Sequence, residues 1–485
     1  MPKPIRPVLL YPLFFLLLTA ACHKPHPATI AITHATVIDA TGAPPKSNFT
    51  ILIDHEKISA VGPDSTLDIP SGAQVVDATG KFLIPGLADM HIHLMGAGEP
   101  TGSREFIVPL LIANGITTVR DMGGDVTQLK KLKSEIDSGD QPGPQIFFTG
   151  PYLDGNPPYF QPSIVVVTPA EADAAVRKLK SEGVDFIKVQ SRLKPEAFFA
   201  IAEAARKENI RFVGHVPDSI SAAQASDAGQ SSIEHLTGIL LACSSREAEL
   251  RQQQLDPPRH KESPRQTSLR QRAWQQAVLD THSPEKAQKL YAKFLTHHTW
   301  QVPTLPLLIE LAYLTPATDR SNDPNLKYIP QNLQKSWKQG RAESLANKTP
   351  GDFLLRAKLV EASLKAVGDM HAAGIPIMAG TDSTAPNLVP GFALHDSLAD
   401  LVRAGLTPMQ ALQAATSRPA EFLNRSTEQG TIAPGQRADL VLLDADPLAD
   451  IHNTEKINAV ILKGKFLDRA ALDALLNKAA QFAAK

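Results

Sequence analysis

From about residue 29 to 84 apolar and polar side chains alternate, in "TIAITHATVIDATG", "FTILIDHEKISAVGP" and "AQVVDATGKFLIPG". Successive side chains of an extended strand face opposite ways, so this period of two, punctuated by Gly, Pro and Asp, predicts antiparallel strands joined by turns. The pattern returns near the other end in "GQRADLVLLDADPL" and "INAVILKGKFL". Two strand-rich ends flanking something different predict one small β-sandwich domain assembled from residues 28–84 and 428–470.

Between them the pattern changes. Eight short apolar segments, "LADMHIHL", "ITTVRDMG", "QIFFTGP", "DFIKVQ", "RFVGHV", "SSIEHL", "WQVPTL" and "IPIMAGTD", alternate with helical stretches such as "PAEADAAVRKLKSEG". Alternation of this kind defines an α/β fold, and eight repeats are what a (β/α)8 TIM barrel over residues 85–427 requires. A doubly wound open sheet also alternates, but no GxGxxG follows the first strand. The interval 244–298 is polar, charge-rich and long. After strand six it is expected either to lie over the barrel mouth as a lid or specificity element, or to be a solvated excursion.

Composition narrows the class. The chain has 485 residues, 43% hydrophobic and 20% charged, which suits a globular protein with a sizeable core. A formal net charge of −1 gives no field that would draw nucleic acid, so the expected partner is a small molecule. Lys3 and Arg6 precede an apolar stretch, Val8 to Ala21, which predicts an export signal over residues 1–21. "LTAAC" is lipobox-like and would put a lipid anchor on Cys22, although Thr19 stands where an aliphatic residue is usual and cleavage at a nearby alanine is the alternative. The expected location is the periplasm, free or as a membrane-anchored lipoprotein. The only other cysteine, Cys243, is expected to be buried packing.

Candidate chemistry sits at the ends of the strand segments. His91 and His93, two apart, share one face, while Met90, Ile92 and Leu94 are expected to face surrounding helices. The segments "RFVGHV", "SSIEHL" and "IPIMAGTDS" bring His215, His235 and Asp382 to equivalent positions, where barrel enzymes place their chemistry. In "VDFIKVQ", Ile187 and Val189 suit the helix-packed face and turn Lys188 inward. A desolvated lysine loses its proton readily, and the free amine can add carbon dioxide to give a carbamate able to bridge two cations. Arg120 could meet a substrate carboxylate or be paired internally with Asp121 or another acid; Tyr152 and Tyr159 border the mouth after strand three.

The motifs "DMHIHL", "GITTVRDMGG", "GVDFIKVQ", "GHVPDS", "SIEHLTGI", "AGTDS" and "GTIAPGQRADLVLLDADPL" together resemble the amidohydrolase superfamily, and within it the imidazolonepropionase-like and Xaa-Pro-dipeptidase-like branch. The resemblance implies that His91, His93 and Asp382 bind one divalent metal, His215 and His235 a second, and carboxylated Lys188 bridges them, with zinc the default. It also implies a metal-bridging hydroxide as nucleophile, Asp382 as general base and then acid, an amide or dipeptide as substrate, and His395 near that substrate. A mononuclear deaminase or imidazolonepropionase-like enzyme is the alternative. Such relatives carry Glu three residues after the strand-five histidine, where this chain has Asp218. A barrel that binds without catalysis is the non-enzymatic alternative.

Overall fold

The strand patterns of the two ends meet in one sheet. The computed structural model describes residues 30–95, 102–160, 163–256, 262–312, 323–346 and 348–485. With strands labelled in chain order, β1 (Ile30–Val37), β2 (Lys46–Asp54), β3 (Lys57–Pro63), β4 (Gln74–Asp77) and β5 (Phe82–Pro85) join β15 (Leu440–Leu443), β16 (Ile457–Leu462) and β17 (Lys465–Leu467). Neighbours run β17-β16-β15-β5-β1-β2-β3, with β4 also pairing β1, so the expected sandwich is a single hydrogen-bonded sheet of eight strands. Ile32, Ile51, Leu440, Leu442 and Ile461 pack into the sheet's own core. The alternate residues Val441, Leu443, Val460 and Leu462 join the core of the barrel. Each such burial contributes roughly 1.5–3 kcal/mol, so the period of two fastens the sheet to the barrel as well as to itself.

The barrel strands are β6 (Leu87–Ile92), β7 (Ile116–Asp121), β8 (Gln145–Phe148), β11 (Ile187–Val189), β12 (Phe212–Gly214), β13 (Ser232–Glu234) and β14 (Trp300–Val302); β9 (Leu153–Asp154) and β10 (Ile164–Val165) are short additions between β8 and β11. All ladders among them are parallel. The eighth position, read as "IPIMAGTD", forms isolated bridges instead of a continuous strand: Gln301 with Ile377 and Ile92 with Ser383. Backbone bonds from Met378 to Gln301 O (2.9 Å), from Met90 to Ala379 O (3.0 Å) and from Asp382 to His91 O (2.7 Å) nevertheless close the ring. On the other side, Asp185 N donates to Phe148 O at 2.9 Å.

One register slip matters for function. Between β6 and β7 the pairing passes from Asp89–Val119 to Ile92–Asp121, three residues against two, which is a β-bulge. The expectation that Met90 faces the helices is corrected, because the bulge separates its parity from that of Ile92. Met90 joins Phe147, Phe186, Trp300 and Met378 in a cluster drawn from the strands themselves, inside the barrel, while Ile92 and Leu94 join the core shared with the helices. The extra residue re-aims the chain, so that His91 follows Met90 without losing its place at the mouth.

The polar interval also divides differently from its pattern. Helices Glu247–Leu255 and Pro264–Asp280 form the excursion, but Pro284–Thr296 buries Ala287, Leu290, Tyr291 and Phe294 as an ordinary barrel helix. A second excursion between β14 and helix Pro350–Ala372 carries helices Leu305–Ala312 and Gln331–Leu345. Cys243 is buried, and burial pushes its thiol up to about 12, as suits packing. The predicted export signal and Cys22 lie outside the described residues, and no helix among the described residues is long and apolar enough to cross a membrane.

Candidate metal centre

Four imidazoles, one lysine and one carboxylate converge where the barrel strands end. His91 and His93 come from β6 and the residue after it, His215 and His235 directly follow β12 and β13, and Lys188 lies in β11. The ring centroids of His91 and His235 are 4.4 Å apart, and those of His215 and His235 4.9 Å. Ligating atoms of His91, His93 and Asp382 all lie within 4.8 Å of one another.

Local backbone geometry makes this convergence possible. Strand alternation alone would turn Glu234 and His235 to opposite faces, but His235 has φ +56°, in the left-handed region, and both side chains end up at the site. Asp382 has φ +64° for the same effect. Gly214 has φ +128°, and a Cβ there would stand 2.3 Å from Val189 O and 3.0 Å from Lys188 Cδ. Gly380 similarly leaves room beside His91, whose Cβ would be 3.0 Å from an added methyl group. Glycine at both positions lets neighbouring strands approach the ligand residues closely.

The hydrogen bonds fix which nitrogen each imidazole presents. His91 Nδ1 lies 2.8 Å from Glu234 Oε2 and His93 Nδ1 3.3 Å from Gly123 O. Both partners only accept, so each Nδ1 carries the proton and each Nε2 the lone pair. His215 Nδ1 is 2.9 Å from Ser191 Oγ, whose own proton goes to Gln190 Oε1, and His235 Nδ1 is 2.6 Å from Thr304 Oγ1. Burial, reinforced by Lys188 for His215 and by His91 for His235, holds the first ring well below its usual pKa and the second at about 3. Neutral rings with bare Nε2 atoms are the form a metal binds.

The fit to a cation can be judged at His91. Its Nε2 is buried with no hydrogen-bond partner. It lies 3.3 Å from Asp382 Oδ1, and His93 Nε2 lies 3.0 Å from the same oxygen. Two lone pairs facing a carboxylate oxygen repel one another; a divalent ion shared by the three removes the repulsion and satisfies the orphaned nitrogen. Burial alone would raise the Asp382 pKa, whereas positive charge at the His235 and His91 positions pulls it well below the usual carboxylate range, a pull that a cation held there would supply. Lys188 is 1% exposed, with Ile187 and Val189 packed into the outer core. Burial draws its ammonium down to about 8, against the pull of Glu234 and Asp382.

Beneath the ligands lies a network that sequence reasoning missed. Glu234 is fully buried, accepting from Arg120 Nη2 at 2.9 and 3.0 Å, from Ser232 Oγ at 2.5 Å and from His91 Nδ1. Arg120 also donates to Met90 O and lies over the rings of Phe186 and Phe422. Its expected role toward a substrate carboxylate is therefore corrected: the guanidinium is wholly buried and internally paired, with Glu234 and not Asp121. Asp89 orients the other side, accepting from Thr381 Oγ1 at 2.7 Å and from His91 N at 3.1 Å, and burial pushes its carboxyl up to about 7. A Ser232-x-Glu234 pair, two acceptor-rich residues of one parity in an apolar strand, was the available signal.

Of the remaining sequence candidates, Tyr152 stands against His93, with ring centroids 6.2 Å apart, and the others are placed away from the cluster. His395 is buried on helix Phe392–Arg403 with Nδ1 3.0 Å from Thr454 Oγ1, which corrects its expected place beside a substrate. Tyr159 is exposed and stands under Arg192; it reaches His93 only through successive ring contacts with Phe160 and Tyr152. Asp218 accepts from Gln254 of the excursion and not from the ligand cluster.

The His91–Glu234–Arg120 line yields a first prediction. Glu234→Gln leaves a buried guanidinium without its counter-charge and lets His91 change tautomer. It is expected to lower metal affinity by about 10–100-fold and to cost about 3–5 kcal/mol of stability. Metal titration and urea unfolding check the two parts separately.

A parallel barrel with histidines at its strand ends and a sheet built from both termini defines a class of hydrolase scaffold, and the comparison with known families agrees. Residues 82–467 match the amidohydrolase family, and the chain belongs to it. A Bifidobacterium longum protein assigned as a prolidase is similar at 25% identity and TM-score 0.66, over 93% of this chain and 100% of that one. The fold of an Xaa-Pro dipeptidase with methionine bound in its active site is also similar, at 20% identity and TM-score 0.63, over 90% and 99% of the two chains. The dihydroorotase of Mycobacterium tuberculosis is 48% identical over 49 residues, 10% of this chain and 11% of that protein. The chain thus spans about a tenth of that curated relative's length.

Proposed function

We propose that this protein is a metal-dependent hydrolase of C–N bonds in small amides, with dipeptides the foremost class. The observation that carries the reading is the convergence of His91, His93 and Asp382, with one orphaned buried nitrogen, beside an inward, desolvated lysine. His91, His93 and Asp382 would hold one divalent ion and His215 and His235 a second. Lys188, once carboxylated, would join the two. Its inward amine, together with Asp218 pointing elsewhere, favours the two-metal reading over the mononuclear one. Such ions supply Lewis-acid polarisation of a carbonyl and acidify water toward neutral pH.

The chain's own residues then account for the proton movements. Asp382, held ionised, is placed to accept a proton from the attacking water and to deliver it to the leaving nitrogen, a general base followed by a general acid. Glu234 keeps the proton of His91 on Nδ1, and Ser191 does the same for His215, so each ring would present its Nε2 lone pair to an ion, and a ring engaged in that way leaves the transferred proton to Asp382. Dipeptide-sized substrates are supported by the prolidase assignment of the similar Bifidobacterium protein. The charged-then-apolar N-terminus supports export, and hence a substrate met outside the cytoplasm.

A hydrolysis screen tests the reading. With zinc and bicarbonate supplied, an Xaa-Pro, Xaa-Arg and N-acyl amino-acid library is expected to contain substrates whose turnover stops on chelation. Absence of turnover throughout, by protein shown to be metal-loaded, contradicts it.

A further inference from the structure

Beside the ligand cluster a cavity of about 320 Å³ opens between the strand ends and the first excursion. It borders His235 and also Ser191, the residue that orients His215. Its walls include Leu240, Trp274, Val278, Leu308 and Leu359, so both excursions contribute: Trp274 and Val278 come from helix Pro264–Asp280 and Leu308 from helix Leu305–Ala312. Neither excursion belongs to the minimal strand–helix repeat.

Several charged and polar groups at this wall are held by hydrogen bonds within the fold. Arg251 donates from Nη1 to Ile220 O at 2.6 Å and from Nη2 to Glu247 Oε1 at 2.9 Å. Gln254 donates to Asp218 Oδ1 at 2.8 Å, and Trp274 Nε1 to Leu250 O at 2.8 Å. These bonds tie helix Glu247–Leu255 to the loop after β12 and hold the indole in place. What remains facing the cavity is largely apolar; the one carboxylate at its edge, Asp218, lies three residues from His215 on the loop after β12, and a charged group placed among the aliphatic and indole walls would be costly to desolvate. A cavity of about 150 Å³ lined by aliphatic and aromatic side chains already admits benzene, so this one has room for an aromatic ring and its linker.

We propose that the cavity receives a large, uncharged apolar substituent, aliphatic or aromatic, on one side of the scissile amide, and that Trp274 sets this preference. The inference rests on the hydrolase reading of the adjacent site. It assigns the first excursion a specificity role, in place of a merely solvated one.

The test compares kcat/KM of the metal-loaded protein for two dipeptide series, Xaa-Pro and Gly-Xaa, with Xaa as Ala, Leu, Phe, Asp and Lys. In one series Leu and Phe are expected to exceed Asp and Lys by at least about tenfold. Trp274→Ala is expected to shrink the Phe-to-Ala ratio about tenfold, and Leu308→Trp, which fills the cavity from the opposite wall, to shrink it too. Thermal melting confirms that both variants fold. Equal rates for charged and apolar residues, or a ratio untouched by both variants, overturns the proposal. If no dipeptide is cleaved, the dipeptide part of the hydrolase reading fails by itself and calorimetric binding of phenylacetamide decides about the cavity. Binding weakened in both variants upholds an apolar pocket, and binding that is absent or unchanged overturns it.

Discussion

Asp382→Asn is expected to lower kcat by about 10²–10⁴-fold, with KM changed far less. Asparagine keeps the size of the side chain and one oxygen near His91 and His93, so the variant still folds and still presents a ligand atom. It cannot accept a proton, because the amide has lost the charge that the site protects. Geometry brings that charge to the site: Asp382 Oδ1 faces His91 Nε2 and His93 Nε2 at 3.3 and 3.0 Å, where a shared cation would keep it ionised, and the backbone at φ +64° aims it inward. Steady-state kinetics on the best substrate of the screen reads the effect. A variant that keeps its kcat and raises only KM would show that Asp382 holds the ion or substrate without moving a proton.

Lys188→Ala is expected to have an effect of comparable size, by another route. The lysine sits 1% exposed with its ammonium drawn down to about 8, so a reactive neutral amine is a substantial fraction at mildly alkaline pH. A protein stripped of metal and of dissolved carbon dioxide is therefore expected to regain activity faster when bicarbonate accompanies the metal. Lys188→Ala should show no bicarbonate dependence and should retain no more than about 1% of wild-type activity, in line with losing both a bridging ligand and the second ion. Equal recovery of the wild type with and without bicarbonate contradicts a carboxylated lysine.

Much of this architecture was legible because two periodicities dominate the chain. Alternation in segments such as "ADLVLLDAD" reported strands correctly, since Leu440 and Leu442 face one core and Val441 and Leu443 another. The residues of the cluster were legible because imidazoles and a lysine in apolar strands have few other ways to be satisfied. What period-two reasoning could not read were departures from regular backbone. Met90 keeps the inward parity of Ala88 and the bulge in β6 turns Ile92 outward after it, and the left-handed backbone at His235 lets Glu234 and His235 serve one site. That Arg120 is paired internally was among its expected roles, but which acid it meets was not legible, because Glu234 is 114 residues away and no local pattern announces such a pair. The excursion was drawn too long for a related reason: the buried stripe of Pro284–Thr296 is short and interrupted by lysines.

The relation between excursion and site follows from the same geometry. Asp218 three residues after His215 reaches outward to Gln254, so the loop that carries a ligand histidine is tied to the helix that closes the adjacent cavity. On the proposed function, chemistry and selectivity would lie on opposite sides of one short segment: the strand end holds His215, and the loop beyond it leads to the cavity wall.

The most direct test of the central claim is the metal content of the purified, reconstituted protein, measured by elemental analysis for the wild type and for Lys188→Ala. A two-ion centre held by His91, His93, Lys188, His215, His235 and Asp382 predicts near two equivalents per chain, falling to one or fewer in the variant. One equivalent that the substitution leaves unchanged would contradict it.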